Sequence, residues 1–522
     1  MMVEAQFKGL FVNKIIVVGG GSAGWMTAAT LIKTFPKKTI TVIDSPNVPT
    51  VGVGESTLQA MKAWTKYLEI SDKDFLKHVD GTYKLGIKFT DLYKKGEAFH
   101  YPFGQPFITN NKAELNDWWF KKFLKPETSN SNYAECYYPQ MAYINQNKLS
   151  KSNNIPFDFE HSVTYHFDAT KFGLWLRDYY CIPKGVKHIK EHIETIEQDK
   201  EGIASLNGKH KADLYIDCTG FKSLLLGQNL KEEFINYNER LPNNSAWATK
   251  IKYKDKEKQL VPYTDCTAIE NGWVWRVPLW SRLGTGYVYS DKFVSDEDAL
   301  KEFKSHLKNK EKVSNVEKLE YRNIKSRVGI HRRLWVKNVV AIGLSAGFIE
   351  PLEGNGLFSV HEFLMKLVRT LNREKISQWD KDNFTFQCKL LFDNFSQFVA
   401  MHYALSQRTD TKYWEANFNK EWSRHLIDLT RDLSEGFVTN AITKNSTFQF
   451  EKNEGLHCIA AGMNWPPTDL ESMLYLNQMN KKQWIYTFKP CIDNLDKQQK
   501  LWKKSVKSSP SFYKFMKDYI YS

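Results

Sequence analysis

Gly19-Gly20-Gly21-Ser22-Ala23-Gly24 follows a short β-branched run, Lys14 to Val18, and precedes Trp25 to Phe35, which has the pattern of a helix. Strand, glycine turn and helix together form the setting in which backbone cradles a pyrophosphate. Gly19 permits the tight turn, Gly21 lets the backbone approach the phosphates, Gly24 lets helix and strand pack closely, and the amides of Ser22 and Ala23 open the helix toward negative charge. A second apolar run, Thr39 to Asp44, ends in an acid twenty residues after Gly24, where a dinucleotide presents ribose hydroxyls. The predicted ligand is a dinucleotide; the alternative is that Asp44 is an ordinary turn acid.

Two further groups could do chemistry. In Gly272-Trp273-Val274-Trp275-Arg276-Val277-Pro278 the indoles are two positions apart and face one side of any strand. A buried aromatic strand is their ordinary role. Glu353, in Pro351-Leu352-Glu353-Gly354-Asn355-Gly356, precedes Leu357 to Leu371, which reads as a helix. It could complement the N-terminus of that helix or act as a general base, and the residues alone leave both open.

These residues need a large scaffold, and 522 residues allow two or three domains, or one enlarged α/β domain with a lobe attached. Seven scattered cysteines without a Cys-x-x-Cys pair argue against zinc and disulfides, so no metal is expected. The net charge of +14 comes from dispersed lysines interleaved with acids, as at Lys252 to Lys258, which describes a solvated surface rather than a nucleic-acid footprint. The first residues lack a basic segment, apolar stretch and cleavage site, and the apolar segment Val339 to Phe348 is about half as long as a membrane span. The expectation is a cytoplasmic protein with reduced thiols and no membrane partner.

Ala212 to Gly220 reads as a buried strand ending in a small-residue turn, and Val339 to Gly343, with Ile342 and Gly343 at its end, as another. Both resemble the secondary flavin-contacting segments of the FAD-dependent monooxygenase fold, which makes FAD the expected dinucleotide. The resemblance then becomes more specific. Val51-Gly52-Val53-Gly54-Glu55-Ser56-Thr57, Thr82 to Phe89, Tyr165 to Ala169, the Trp-x-Trp-x-Val-Pro stretch, Gly284 to Ser290, Gly347 to Glu353, His402-Tyr403, Arg408-Thr409-Asp410 and Trp414 resemble, in order, motifs of flavin-dependent halogenases. The collinear match runs from about residue 14 to about residue 465.

The resemblance implies a doubly wound, monooxygenase-like FAD-binding α/β body threaded by a mixed sheet for substrate, 1–380, and a mainly helical lobe, 381–522, with Trp379 to Ala404 and Leu470 to Tyr486 as helical segments. Val51, Gly52, Val53 and Gly54 become a strap over the flavin, where larger side chains would collide with a flat ring. Reduced FAD and O2 would give a flavin hydroperoxide, which halide attacks to form hypohalous acid. Trp273, Trp275 and Pro278 would wall organic substrate from the flavin. Lys84, with Lys88 as competitor, would receive the oxidant in an apolar tunnel as hydrogen-bond donor or, deprotonated, as nucleophile. Glu353 would take the ring proton or hold the donor in line.

Two departures from the family pattern stand out. Many tryptophan-modifying members follow the glutamate with Ser-Thr-Gly, whereas this chain has Gly354-Asn355-Gly356, leaving backbone amides at Asn355 and Gly356 for halide and favouring bromide or iodide over chloride. Positions that hold histidine and phenylalanine against the indole in tryptophan halogenases here hold Tyr101 and Phe103, which argues against free tryptophan as substrate. The Asn-rich stretch from Thr128 to Pro156 reads as an insertion that could reshape the entrance.

The expected partners are an indole- or phenol-like molecule, halide, O2 and a separate flavin reductase, since only one nucleotide fingerprint is evident; homo-oligomerisation is left open. The alternatives are an FAD-dependent aromatic monooxygenase that inserts oxygen, and a non-catalytic flavin-binding redox sensor.

Overall fold

The computed structural model describes residues 9–47, 54–109, 115, 117–422, 454–465 and 480–522. The chain forms two compact units that interleave in sequence, one made of Met1–Gly81, Tyr165–Ala246 and Ile324–Asp393, the other of Thr82–Thr164, Trp247–Asn323 and Asn394–Ser522.

The first unit is built on a six-stranded sheet in the order Trp335–Val336, Val339–Ala341, Leu214–Asp217, Lys14–Val18, Thr39–Asp44, Lys187–Lys190. The inner pairings are parallel, with Ile15 beside both Leu214 and Ile40. Continuous Val/Ile runs suit strands covered on both faces, and Ile15, Ile16, Val17, Ile40 and Val42 are all buried. The helix Ser22–Thr34 buries nearly its whole length behind the glycine turn. The strand expected at Val339 to Gly343 ends at Ala341, and Gly343 opens a single 3₁₀ turn.

A seven-stranded mixed sheet organises the second unit, in the order Arg322–Lys325, Ser245–Ile251, Leu283–Tyr289, Gly272–Pro278, Tyr263–Ile269, Gly86–Thr90, Ala98–Pro102. Tyr263–Ile269 runs parallel to Gly86–Thr90, while the pairs either side are antiparallel. One face is closed by the helix Asp296–Asn309, whose Ala299, Phe303 and Leu307 pack on Val274, Tyr287 and Tyr289. Ser295 caps that helix by accepting from the Asp298 amide, and three acids occupy its first turn.

Trp379 to Ala404 lies within the 27-residue helix Gln378–Ala404. Leu470 and the residues up to 479 lie outside the described residues, and a helix covers Lys481–Ser505. The Asn-rich stretch is partly helical, and residues 151–154 are exposed. It folds into the helices Asn132–Tyr137 and Met141–Gln146, with Tyr133, Tyr137, Met141 and Tyr143 buried. Its asparagines bond inside the unit: Asn130 donates to the Gly462 carbonyl at 3.1 Å, and Asn132 accepts from Lys121 at 2.7 Å. Asparagine often satisfies its own backbone, and Asn130 and Asn132 bond to other segments instead.

Candidate active site

In the first unit the glycine turn is shaped by close approach. Gly19 has φ +112°, and a Cβ there would lie 2.3 Å from the Cys218 carbonyl oxygen; a Cβ on Gly24 would lie 1.8 Å from the Gly19 oxygen. Gly343 has φ +72°, and its Cβ would meet that of Ala23 at 2.8 Å, so the third strand's turn closes over the start of the helix. Ile342 is buried beside it, its amide donating to Asp217 at 3.0 Å. No side chain caps the helix at Gly21, while the Ser22 hydroxyl donates to Ala169 at 2.8 Å, so the first amides are left for another partner. Asp44 ends its strand with its carboxylate against Gly20, where a Cβ would come within 2.2 Å of Asp44 Cγ. These residues fit the phosphates and ribose of FAD. Val51, Gly52 and Val53 lie outside the described residues, and Gly54 begins the strand Gly54–Ser56, paired with Asp168 through His166.

The acidic turn belongs to the same unit. The Gly354 amide donates to the Pro351 carbonyl at 2.9 Å and Gly354 takes φ +70°, a left-handed conformation that glycine adopts without strain. Glu353 is fully buried within this turn. The following helix, Phe358–Leu371, has no acid in its first turn, so Glu353 is not the helix-terminal acid that its sequence position allowed. Asn355 donates to the Ile349 carbonyl at 3.3 Å, and a Cβ on Gly356 would lie 2.8 Å from Glu55 Oε2. Glu55 is half-buried, and desolvation, together with the nearby charge of Asp168, pushes its carboxyl up to about 7.

The second unit gathers the lysine and the aromatic residues. Lys84 ends the three-residue strand Thr82–Lys84, is 0% exposed, and places Nζ 4.7 Å from the centroid of the Phe103 ring. Tyr101 meets Phe103 edge-on at 5.5 Å. Trp273 and Trp275 lie 6.3 Å apart, and the ring of Trp275 crosses the neighbouring strand at Gly286, where a Cβ would fall 2.1 Å from Cη2. Pro278 ends the indole strand, and its carbonyl accepts from the Thr82 hydroxyl at 2.7 Å.

Lys88 belongs to the opposite sheet face. Register pairs Ile87 with Tyr101 and Lys88 with His100, so alternation directs Lys88 away from Tyr101. There it faces Asp265 at 3.7 Å, and burial, with the charge of Lys88 added, pushes His100 down to about 3.

Sequence reasoning assigned no part to Glu55, Gly286 or Thr82. Glu55 was visible as the single acid in a run of small residues, and Gly286 as a glycine inside a strand, which marks close approach by another group. The Thr82 bond to Pro278 spans 196 positions and leaves no local signal.

A doubly wound sheet with a dinucleotide turn, joined in one chain to a unit whose mixed sheet carries paired indoles and whose buried lysine lies over Phe103, defines an FAD-binding enzyme of the monooxygenase-like class. The chain belongs to the tryptophan halogenase family, whose model matches residues 14–477. It is 30% identical to the tryptophan 6-halogenase ThaL of Streptomyces albogriseolus, over 90% of this chain and 92% of that protein. Its fold is similar to the apo structure of VirX1, at 35% identity and TM-score 0.88, covering 98% and 99% of the two chains. It also resembles the crystal structure of the tryptophan 6-halogenase SttH from Streptomyces toxytricini, at 27% identity and TM-score 0.82, covering 97% and 99%. The protein is therefore a flavin-dependent halogenase that uses FAD to halogenate an aromatic substrate. Among the described residues no helix is long and apolar enough to cross a membrane.

Proposed function

We propose that the protein halogenates an electron-rich indole- or phenol-like ring with O2 and halide, drawing reduced FAD from a separate reductase, and that Lys84 delivers the halogen. The observation that carries this reading is the fully buried side chain of Lys84, its Nζ over Phe103, on a strand bonded through Thr82 to the end of the indole strand. When bound, reduced FAD supplies the electrons with which O2 and halide become hypohalous acid.

The residues divide the remaining work. Amides of the Asn355-Gly356 turn hold halide. Trp273, Trp275 and Pro278 keep the organic ring from the oxidant's source. Lys84 donates to the oxygen of hypohalous acid, which makes the halogen more electrophilic. The ring carbon bonds to halogen as the oxygen–halogen bond breaks, and the departing hydroxide takes a proton from Lys84 to leave as water. Glu353 takes the ring proton. Tyr101 and Phe103 line the substrate side, and tyrosine at 101 in place of the histidine favours a ring other than free tryptophan.

Incubation with reduced FAD, each halide in turn and a panel of indoles and phenols, read by product mass, tests this function. A halogenated product that requires halide is expected. Equal product without halide, carrying a hydroxyl, would establish the monooxygenase reading instead.

A further inference from the structure

The helix Phe512–Tyr519 carries none of the residues assigned above, yet its aromatic side chains reach the lysine strand at Tyr83 and, at Trp280, the segment that follows the indole strand. Alternation puts Thr82 and Lys84 on one side of their strand and Tyr83 on the other. Tyr83, fully buried, meets Phe159 edge-on at 5.1 Å and Phe515 at 6.2 Å, and Phe515 lies 6.0 Å from Phe159. Two positions beyond Pro278, Trp280 stacks nearly parallel with Tyr513 at 5.5 Å and with Tyr521 at 4.1 Å. Lys256 Nζ lies 3.3 Å from the Trp280 centroid, a cation–π contact on the same indole.

The helix is itself fixed. Ser511 caps it by accepting from the Lys514 amide, the Phe512 amide donates to Asn147 at 2.8 Å, and Phe512 and Met516 are fully buried. The strand is only three residues long, so the packing behind Tyr83 contributes to where Lys84 stands. A displacement of about 1 Å in a reacting group can cost about a hundredfold in rate.

We propose that Phe515 and Trp280 are positioning residues: through the helix Phe512–Tyr519 they hold the lysine strand against the end of the indole strand, so that halogen is delivered at Lys84 rather than lost as free hypohalous acid. This rests on the reading of Lys84 given above.

The full chain with Trp280→Leu or Phe515→Leu tests it by two readouts. Without FAD, covalent amine labelling followed by mass spectrometry should modify Lys84 about tenfold faster than in the parent protein, with the exposed Lys514 unchanged as internal control. With reduced FAD, bromide and an indole, flavin reoxidation should stay within about twofold while product per flavin falls about tenfold and a diketone trap captures the missing oxidant. Trp280→Phe keeps a ring for the stack and should restore coupling. Tyr521→Ser, which removes only the outer ring, replaces any variant that fails to fold. The proposal is overturned if labelling and coupling match the parent, or if flavin reoxidation and product fall together. Lys84→Ala is run in parallel: should it keep making product, the lysine reading falls and the brace with it. If it loses product while the Trp280 and Phe515 variants match the parent, the brace alone is overturned.

Discussion

Thr82 donates its hydroxyl to the carbonyl of Pro278 at 2.7 Å, so the strand that ends in Lys84 is bonded to the strand that carries Trp273 and Trp275. The bond is buried, and Thr82→Val keeps the shape while leaving that carbonyl without its donor. Loss of about 1–3 kcal/mol of stability is expected in a denaturant titration, with less halogenated product per flavin reoxidised. A change in neither would make the bond incidental.

The indole pair has a distinct signature. Replacing Trp273 and Trp275 by leucine together should admit substrate to the flavin side and give some hydroxylated product, detected by mass. Gly286→Ala should do the same more weakly, because the new Cβ would lie 2.1 Å from Trp275 Cη2 and push that ring aside. A double variant that merely unfolds would make the indoles part of the core.

Glu55 sets a pH dependence of stability. Its carboxyl is raised from 4.5 to about 7, so between these values the folded state holds a proton that the unfolded state has released. Its contribution to stability is therefore full below about 4.5, falls as pH rises, and levels off above about 7. Glu55→Gln removes the effect and should stabilise the FAD-free protein at pH 8 by on the order of 2 kcal/mol, with no gain at pH 4, as measured by chemical unfolding at both. Equal effects at the two pH values would contradict the shift.

Halide choice is predicted to follow the acidic turn. The parent protein should prefer bromide or iodide to chloride at equal concentration. Gly354→Ser with Asn355→Thr restores two hydroxyls and should move the ratio toward chloride, at a cost of about 1–2 kcal/mol for forcing serine into the left-handed backbone of Gly354. Chloride preference in the parent protein would exclude the idea.

Much of the nucleotide half was legible because its determinants are local. Lys14 to Val18, the glycine turn and Asp44 occupy one stretch of thirty-one residues, and Gly20 and Gly24 answer to Asp44 and Gly19 inside it, whereas Gly19 answers to the distant Cys218. The second unit was less legible. Lys84 and Lys88 look alike in sequence, but they fall on separate strands, and pairing sets Lys88 beside His100 and Asp265 while Lys84 lies over Phe103. Composition could not show that Asn130 bonds to Gly462, 332 positions away in the chain. Glu55 escaped notice because its raised carboxyl comes from desolvation in the fold, with the charge of Asp168, brought alongside by strand pairing, adding to it.

The most direct measurement compares Lys84→Ala with Lys88→Ala in one assay that follows both flavin reoxidation and halogenated product. Lys84→Ala should lose product by a hundredfold or more, about 3 kcal/mol, while flavin is still reoxidised, and Lys88→Ala should keep its product. Halogenated product from Lys84→Ala at the parent rate, or its loss only in Lys88→Ala, would contradict the role of Lys84.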